Sequence, residues 1–238
     1  MHELVKKARS FAEKRHAGHK YGTLPVDIIV HLDNVYHVLM EFGETDPSML
    51  AAGFLHDILE DTKTSQEELQ EEFGMITTAL VLAVTDGEGK NRKERKEAMY
   101  NKTAGHLRFT RLKLADRIAN MRYSKAEKSP QLTMYMKEYP EFKARLFFAN
   151  DGNEKMWETL DALMKSVIPR TFKLSREKDV SGVSGKGIVG EGVIFTNGKC
   201  VVTWYGKIAS VTVYNTFEDC EQIHGHEGAT KFVFDNKF

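Results

Sequence analysis

The chain changes its hydrophobic period once, and that change limits what it can fold into. Up to about residue 168 the apolar residues recur at the three- and four-residue spacing of helices. From Asp179 onward helix formers thin out, and Gly, Val, Thr and aromatic residues take over. The pattern predicts a mainly α protein with a small C-terminal β-rich (α+β) module. We read residues 1–168 as the helical domain, 169–180 as a linker and 181–238 as the module.

The helical part carries its own punctuation. "HELVKKARSFAEKRHAG" spaces Leu4, Ala8, Phe11 and Ala12 as one face and stops near Gly18. "HLDNVYHVLMEFG" puts Leu32, Val35, Leu39 and Met40 on one side and ends at Gly43. "DPSMLAAGFLHDILEDT" opens with Asp46 as N-cap and Pro47 at the first helical position. "TSQEELQEEFGMITTALVLAVT" starts on a capping box, either Thr64 with Glu67 or Ser65 with Glu68. "RFTRLKLADRIANMRYS" is amphipathic. The stretch from Pro130 to Ser166 adds one or two helices, with Met134, Tyr135, Phe142, Leu146, Phe147, Trp157 and Leu160 as core candidates.

In the module, "GEGVIFTNGKCVVTWYG" reads as a hairpin about Asn197-Gly198, a pair that suits a type I′ turn. "SVTVYNT" and "KFVF" read as strands, with "FEDCEQIHG" a short helix between them. The glycine-rich "DVSGVSGKGIVGEG" lacks a strand before it and a helix after it, so turns are expected there rather than a phosphate loop. His224 and His226 fit a polar loop better than a metal site.

Lys plus Arg equals Asp plus Glu at 34 each, so no global basic field draws a nucleic acid polymer or an acidic membrane. No apolar run reaches spanning length, and "MHELVKKARSFAEK" has no signal-peptide core. Cys200 and Cys220 are the only cysteines, which suits a reducing cytoplasm.

The segment "GFLHDILEDT" poses the chemical question. His56, Asp57, Glu60 and Asp61 interrupt Phe54, Leu55, Ile58 and Leu59, which want to be buried. On a continuous helix His56 would lie above Glu60, and Asp57 above Asp61. Buried carboxylates without partners are costly, and a divalent cation would make the cluster tolerable. Two ligands do not hold a metal. His31 in "VHLDNV" and Asp116 inside the apolar "LKLADRIAN" complete a set of two imidazoles and two carboxylates, suited to Mn²⁺, Fe²⁺, Co²⁺ or Zn²⁺. Read singly, His31 fits a surface position, and Asp116 fits an ion pair with Arg117 or Arg111. A metal in such a set polarises a phosphate oxygen and lowers the pKa of a water, while Glu60 or Asp61 takes the proton. Candidate phosphate-binding cations are Arg15, Lys20, Arg117, Arg122, Lys90, Arg92 and Lys93, although the run from Lys90 also fits a solvated helix face. Asn120, one turn after Asp116, is a candidate for ribose or base.

The pieces "ARSFAEKRHAGHKYG", "HLDNV", "AAGFLHDILEDT", "FGMITTALVLAVTD" and "LKLADRIANMR" occur in one order over residues 3–165. Together they resemble the HD-domain phosphohydrolases, most of all the RelA/SpoT hydrolase domain and the small alarmone hydrolases. The resemblance implies an HD-domain helical bundle. It implies one Mn²⁺ held at His31, His56, Asp57 and Asp116, with Glu60 and Asp61 handling the attacking water. The implied reaction removes pyrophosphate from the 3′ position of ppGpp or pppGpp, leaving GDP or GTP.

The chain departs from that family where it reads "HAGHKYG", with His19 in place of a glutamine, and in a longer spacing from Pro25 to His31. These lie in the segment that helps hold the base. Residues 169–238 are too few, and of the wrong character, for a synthetase domain, so hydrolysis without synthesis is expected. Alternatives are an HD phosphohydrolase acting on a dNTP, a cyclic signalling nucleotide or NADPH, and a nucleotide-sensing binding module. The C-terminal residues resemble a small accessory module of bacterial and phage proteins, which leaves room for a protein partner or oligomer contact.

Overall fold

A computed structural model describes residues 1–21, 25–179, 182, 185–206 and 208–235. Positions 22–24 of the segment assigned to the base, and 180, 181, 183 and 184 of the glycine-rich stretch, lie outside the described residues. The chain falls into two compact units, Met1–Leu163 and Met164–Phe238.

The first unit is helical: α1 (Glu3–Arg15), α2 (Ile29–Glu41), α3 (Pro47–Leu55), α4 (Ile58–Asp61), α5 (Gln66–Val84), α6 (Arg92–Thr103), α7 (Leu107–Ala126) and α8 (Gln131–Leu146). α9 (Glu154–Ser166) runs across the division. The caps follow local chemistry. The Asp46 carboxylate accepts from the Ser48 N–H with Pro47 behind it, and Ser65, not Thr64, caps α5 by accepting from Glu68 N–H at 3.2 Å.

α3 is the centre of this unit. Every residue from Met49 to Leu55 is buried, and the helix packs against α1, α2, α5 and α7. Each large side chain there contributes about 1.5–3 kcal/mol by leaving water. Two expectations fail on the rim: Met40 is 45% and Phe147 42% exposed, because each sits at the end of its helix stripe. α5 is not one smooth helix. It breaks at Gly74, whose φ of 78° and ψ of 167° glycine reaches at little cost.

The second unit is a five-stranded antiparallel sheet of order β4-β3-β2-β1-β5. Its strands are β1 (Arg170–Arg176), β2 (Gly187–Ile194), β3 (Cys200–Trp204), β4 (Ser210–Tyr214) and β5 (Thr230–Phe234), with α10 (Phe217–His224) before β5. β1 occupies most of the segment expected as linker. Phe172 and Leu174 alternate inward, but Arg170, Lys173 and Arg176 mask that period, and Arg176 is itself buried against Thr230. Phe172, Leu174, Val189, Cys200, Val202, Tyr214 and Cys220 form the core. Gly192 is required beside them, since a Cβ there would meet the Phe172 ring at 2.4 Å. The β2–β3 turn also differs from the expectation. Gly198 has φ 86°, but Asn197 does not have positive φ, so the turn is not type I′. Gly198 N–H donates to Phe195 O at 2.9 Å and Phe195 N–H to Lys199 O at 2.8 Å, the pattern of a longer hairpin loop.

Candidate metal centre

The chain does not run as one helix through "HDILED". α3 ends at Leu55 and α4 begins at Ile58, with Asp57 between them at φ −95° and ψ −2°. That sparsely allowed conformation is common at functional residues. Asp57 O accepts from both Glu60 and Asp61 N–H, at 3.1 and 3.0 Å, so Asp61 still follows Asp57 by one helical turn.

The break turns His56 and Asp57 towards α2 and α7. His31, on the first turn of α2, is 2% exposed, and Asp116, in mid-α7, is 8% exposed. His31 is therefore not a surface histidine. The two imidazole Nε2 atoms lie 3.2 Å apart. Asp57 Oδ2 is 3.2 Å from His56 Nε2 and 3.7 Å from His31 Nε2. Asp116 Oδ1 is 3.4 Å from His31 Nε2 and 3.7 Å from His56 Nε2. Donors about 2.0–2.2 Å from one ion stand roughly 3–4 Å from each other. His31, His56 and Asp116 each offer a ligand atom within 4.8 Å of the others, a spacing that fits a single divalent cation, and Asp57 Oδ2 stands beside the two imidazoles.

Tautomers and ring planes are prepared for this. His56 Nδ1–H donates to Gly53 O at 2.9 Å, leaving its Nε2 lone pair turned inward. His31 Nδ1 is buried with no hydrogen-bond partner among the described residues. Its plane is set instead by Tyr21, stacked with ring centroids 4.8 Å apart at 7°. The Tyr21 hydroxyl donates to Asn120 Oδ1, and Asn120 Nδ2 donates to Asp116 Oδ1. Asn120 is thus engaged in orienting Asp116, where the sequence suggested ribose or base. Tyr21 was not legible as a site residue, since it sits in a short segment between helices.

The charges are strongly coupled. Without a metal, burial would push the His56 imidazole down, but Asp57 and then Asp116 outweigh it and raise it to about 9, so Nε2 holds a proton that a bound cation would displace. Burial would raise Asp116, but Lys113, then His31, hold it well below the usual carboxylate range. Lys113 is the charge that sequence reading missed. Its Nζ lies 3.1 Å from Asp116 Oδ2, in the place proposed for Arg117 or Arg111. The spacing "KLAD" is the signal that could have found it.

Glu60 and Asp61 lie at the exposed rim. Asp86 N–H donates to Glu60 Oε1 at 2.8 Å. Loss of water on the protein side, then the charge of Asp57, raises the pKa of both carboxyls.

The candidate phosphate cations are dispersed. Arg15 pairs with Glu68 and Lys20 with Asp27. Arg122 Nη2 donates to Glu41 Oε1 at 2.8 Å. Glu41 ends α2, about 15 Å along the helix from His31. Arg117 is not a free cation. It is 5% exposed, lies over the Tyr135 and Phe142 rings, and reaches Glu138 at 3.2 Å. Lys90 and Lys93 are exposed, as a solvated face requires. Arg92 and Lys96, one turn apart on α6, instead turn to Glu138, Arg92 at 2.9 Å.

Three cations thus share one carboxylate. Burial opposes the charge of Glu138, but Lys96, Arg92 and Arg117 bring it down to about 2. Burial and the Arg117 charge push Lys96 down to about 8, so the cluster is short of negative charge. A carboxyl depressed from 4.5 in the unfolded chain to about 2 stabilises the fold above pH 4.5. That stability is lost as pH falls through about 2. Glu138→Gln should therefore melt below wild type at pH 6, and the gap should narrow as the pH is lowered from 4.5. Thermal unfolding followed by circular dichroism checks it.

Residues 8–146 match a family model described as HD domain, and residues 169–236 one described as Acb5 phage protein. The chain is 32% identical over 173 residues to a GTP pyrophosphokinase of Streptomyces coelicolor, covering 71% of this chain and 20% of that protein. It is 38% identical over 125 residues to a guanosine-3′,5′-bis(diphosphate) 3′-pyrophosphohydrolase of Aquifex aeolicus, covering 50% and 18%. The pyrophosphohydrolase MESH1 of Xenopus tropicalis is 33% identical over 122 residues, covering 50% of this chain and 68% of that one. The chain spans about a fifth of the length of the first two of these relatives. A solved structure of a metazoan SpoT ortholog superposes with a TM-score of 0.61 at 24% identity, covering 69% of this chain and 96% of that one, and so shares the fold.

Proposed function

This chain belongs to the HD-domain family, and on that premise we propose that it is a metal-dependent hydrolase of ppGpp and pppGpp, releasing pyrophosphate and leaving GDP or GTP. The observation that carries the reading is the cluster of His31, His56 and Asp116, ligand atoms within 4.8 Å of one another, with Asp57 as the proposed fourth ligand beside the imidazoles and Glu60 and Asp61 exposed on the turn that follows. The names of the Aquifex and Xenopus relatives supply the substrate class. Mn²⁺ is the proposed ion, because two imidazoles and two carboxylates offer it a mixed nitrogen and oxygen set. When bound, a divalent ion there supplies Lewis-acid stabilisation of a phosphate oxygen.

The chain's own residues do the rest. Glu60 is held at one oxygen by the Asp86 N–H, which leaves the other for a water. The raised proton affinity of Glu60 and Asp61 suits them to take that water's proton. The water oxygen bonds to the phosphorus attached to the 3′ oxygen, the P–O3′ bond breaks, and the 3′ oxygen gains a proton. Arg92 and Lys96 are proposed to offer charge for phosphate oxygens, with the buried Arg117 behind them drawing on the shared Glu138 and leaving the cluster short of negative charge. Lys20, Arg15, Lys90 and Arg122 remain proposed substrate contacts, each able to exchange a surface ion pair or solvent for phosphate.

Among the described residues no helix is long and apolar enough to cross a membrane. The cytoplasm is the proposed compartment, where the buried thiols Cys200 and Cys220 stay free. A protein partner or second copy at the C-terminal unit is also proposed, supported by Val211 and Val213, both 64% exposed on strand β4.

With Mn²⁺ present, ppGpp should yield GDP and pyrophosphate in equal amounts, read by anion-exchange chromatography and a pyrophosphate assay. An enzyme inert to ppGpp that turns over a dNTP, NADPH or a cyclic nucleotide would overturn the substrate. It would point to the segment around His19 as the cause.

A further inference from the structure

Lys113 belongs to neither the ligand set nor the water-handling pair, yet it reaches towards both. Its side chain is 13% exposed. Nζ lies 3.1 Å from Asp116 Oδ2 and donates to Val84 O at 3.3 Å. The two oxygens of Asp116 are thereby given different work: Oδ2 faces the ammonium, while Oδ1 faces the imidazoles and accepts from Asn120. Val84 ends α5, and two residues later the Asp86 N–H holds Glu60 Oε1 at 2.8 Å. One ammonium thus ties the α7 carboxylate to the segment from which Glu60 is held.

An ordinary ion pair three residues apart on a helix surface stabilises only weakly and has no second partner. Lys113 differs in being largely shielded from solvent and in reaching a carbonyl on another helix. We propose that Lys113 is a positioning residue that couples the metal ligand Asp116 to Glu60, fixing where the water-handling carboxylate stands relative to the ion. The half of this concerning turnover rests on the phosphohydrolase reading above; the half concerning the ion does not.

The sign on metal binding follows from charge. A fixed ammonium close to the site repels a second cation, and it shares Asp116 with that cation. Removing it does not weaken the ion's hold, while it cuts the one tie between Asp116 and Val84 among the described residues and leaves the segment anchored only from α6, by Lys102 on Thr85 O at 2.7 Å, so Glu60 loses its register with Asp116. A merely structural lysine behaves otherwise, because loosening the fold lowers metal affinity and rate together.

The test uses the full chain and Lys113→Met, with Mn²⁺ affinity read by electron paramagnetic resonance and turnover of ppGpp read at saturating Mn²⁺. The expected result is a dissociation constant equal to or tighter than wild type, with kcat lower by about tenfold or more. Glu60→Gln should absorb the effect: adding Lys113→Met to it should change kcat less than twofold. Lys113→Arg keeps the charge with a different shape, so it should keep wild-type metal affinity and still lower kcat. If Lys113→Met does not fold, Lys113→Arg and its double variant with Glu60→Gln decide the matter by the same coupling. Weaker metal binding in proportion to the loss of rate, an unchanged kcat, or full additivity with Glu60→Gln overturns the proposal. Wild-type protein that binds Mn²⁺ but leaves ppGpp intact overturns the substrate reading instead. In that case a weakened dissociation constant in Lys113→Met still overturns the placement of Lys113.

Discussion

His56→Ala and Asp116→Ala should each yield a folded protein that retains no stoichiometric divalent metal and has no measurable hydrolase activity. Each removes one of four proposed donors drawn from three separated segments: in His56→Ala the Asp57 carboxylate loses its nearest imidazole at 3.2 Å, and in Asp116→Ala the His31 imidazole loses its nearest carboxylate at 3.4 Å. Losing the ion also removes its contribution to stability. An ion present at a hundred times its dissociation constant stabilises by about 2.7 kcal/mol. For a chain of this size that corresponds to a melting shift of roughly 5–10 °C. Wild type should therefore melt higher in Mn²⁺ than in chelator, and the variants should melt at the same temperature in both. Elemental analysis of the purified variants gives the metal content directly. Retained stoichiometric metal in both would remove these residues from the ligand set.

The double substitution Glu60→Gln with Asp61→Asn should separate binding from turnover. It keeps shape and the bond from Asp86 N–H, and it leaves the buried donors untouched. Metal content should stay near wild type while the rate falls by about two to four orders of magnitude, the range for a positioned proton transfer. Near-wild-type turnover in the variant would assign the proton to another group.

The proposed ligand residues were legible because the sequence violates its own pattern. His56, Asp57 and Asp116 stand where helical spacing demands apolar side chains, and such violations need a partner. The caps at Asp46 and Ser65 were legible for the same local reason, since their side chains act within three residues. What was hidden depends on tertiary contact. Lys113, Lys96 and Glu138 look like surface charges in isolation, and only the fold brings them inward. The break at His56–Asp57 has no glycine or proline to announce it. Strand β1 was hidden because Arg176 occupies an inward position that an alternating pattern reserves for apolar residues. Asn120 was recognised as part of the site, but its hydrogen bond to Asp116 was not, because its spacing from Asp116 is compatible with either a carboxylate partner or a substrate.

Titration of metal-free protein with Mn²⁺, with turnover of ppGpp recorded at each addition, tests the central claim most directly. The account predicts that activity is absent at the start, rises linearly and breaks at one equivalent of Mn²⁺ per chain. Full activity before any metal is added, or a rise that continues to two equivalents, would contradict it.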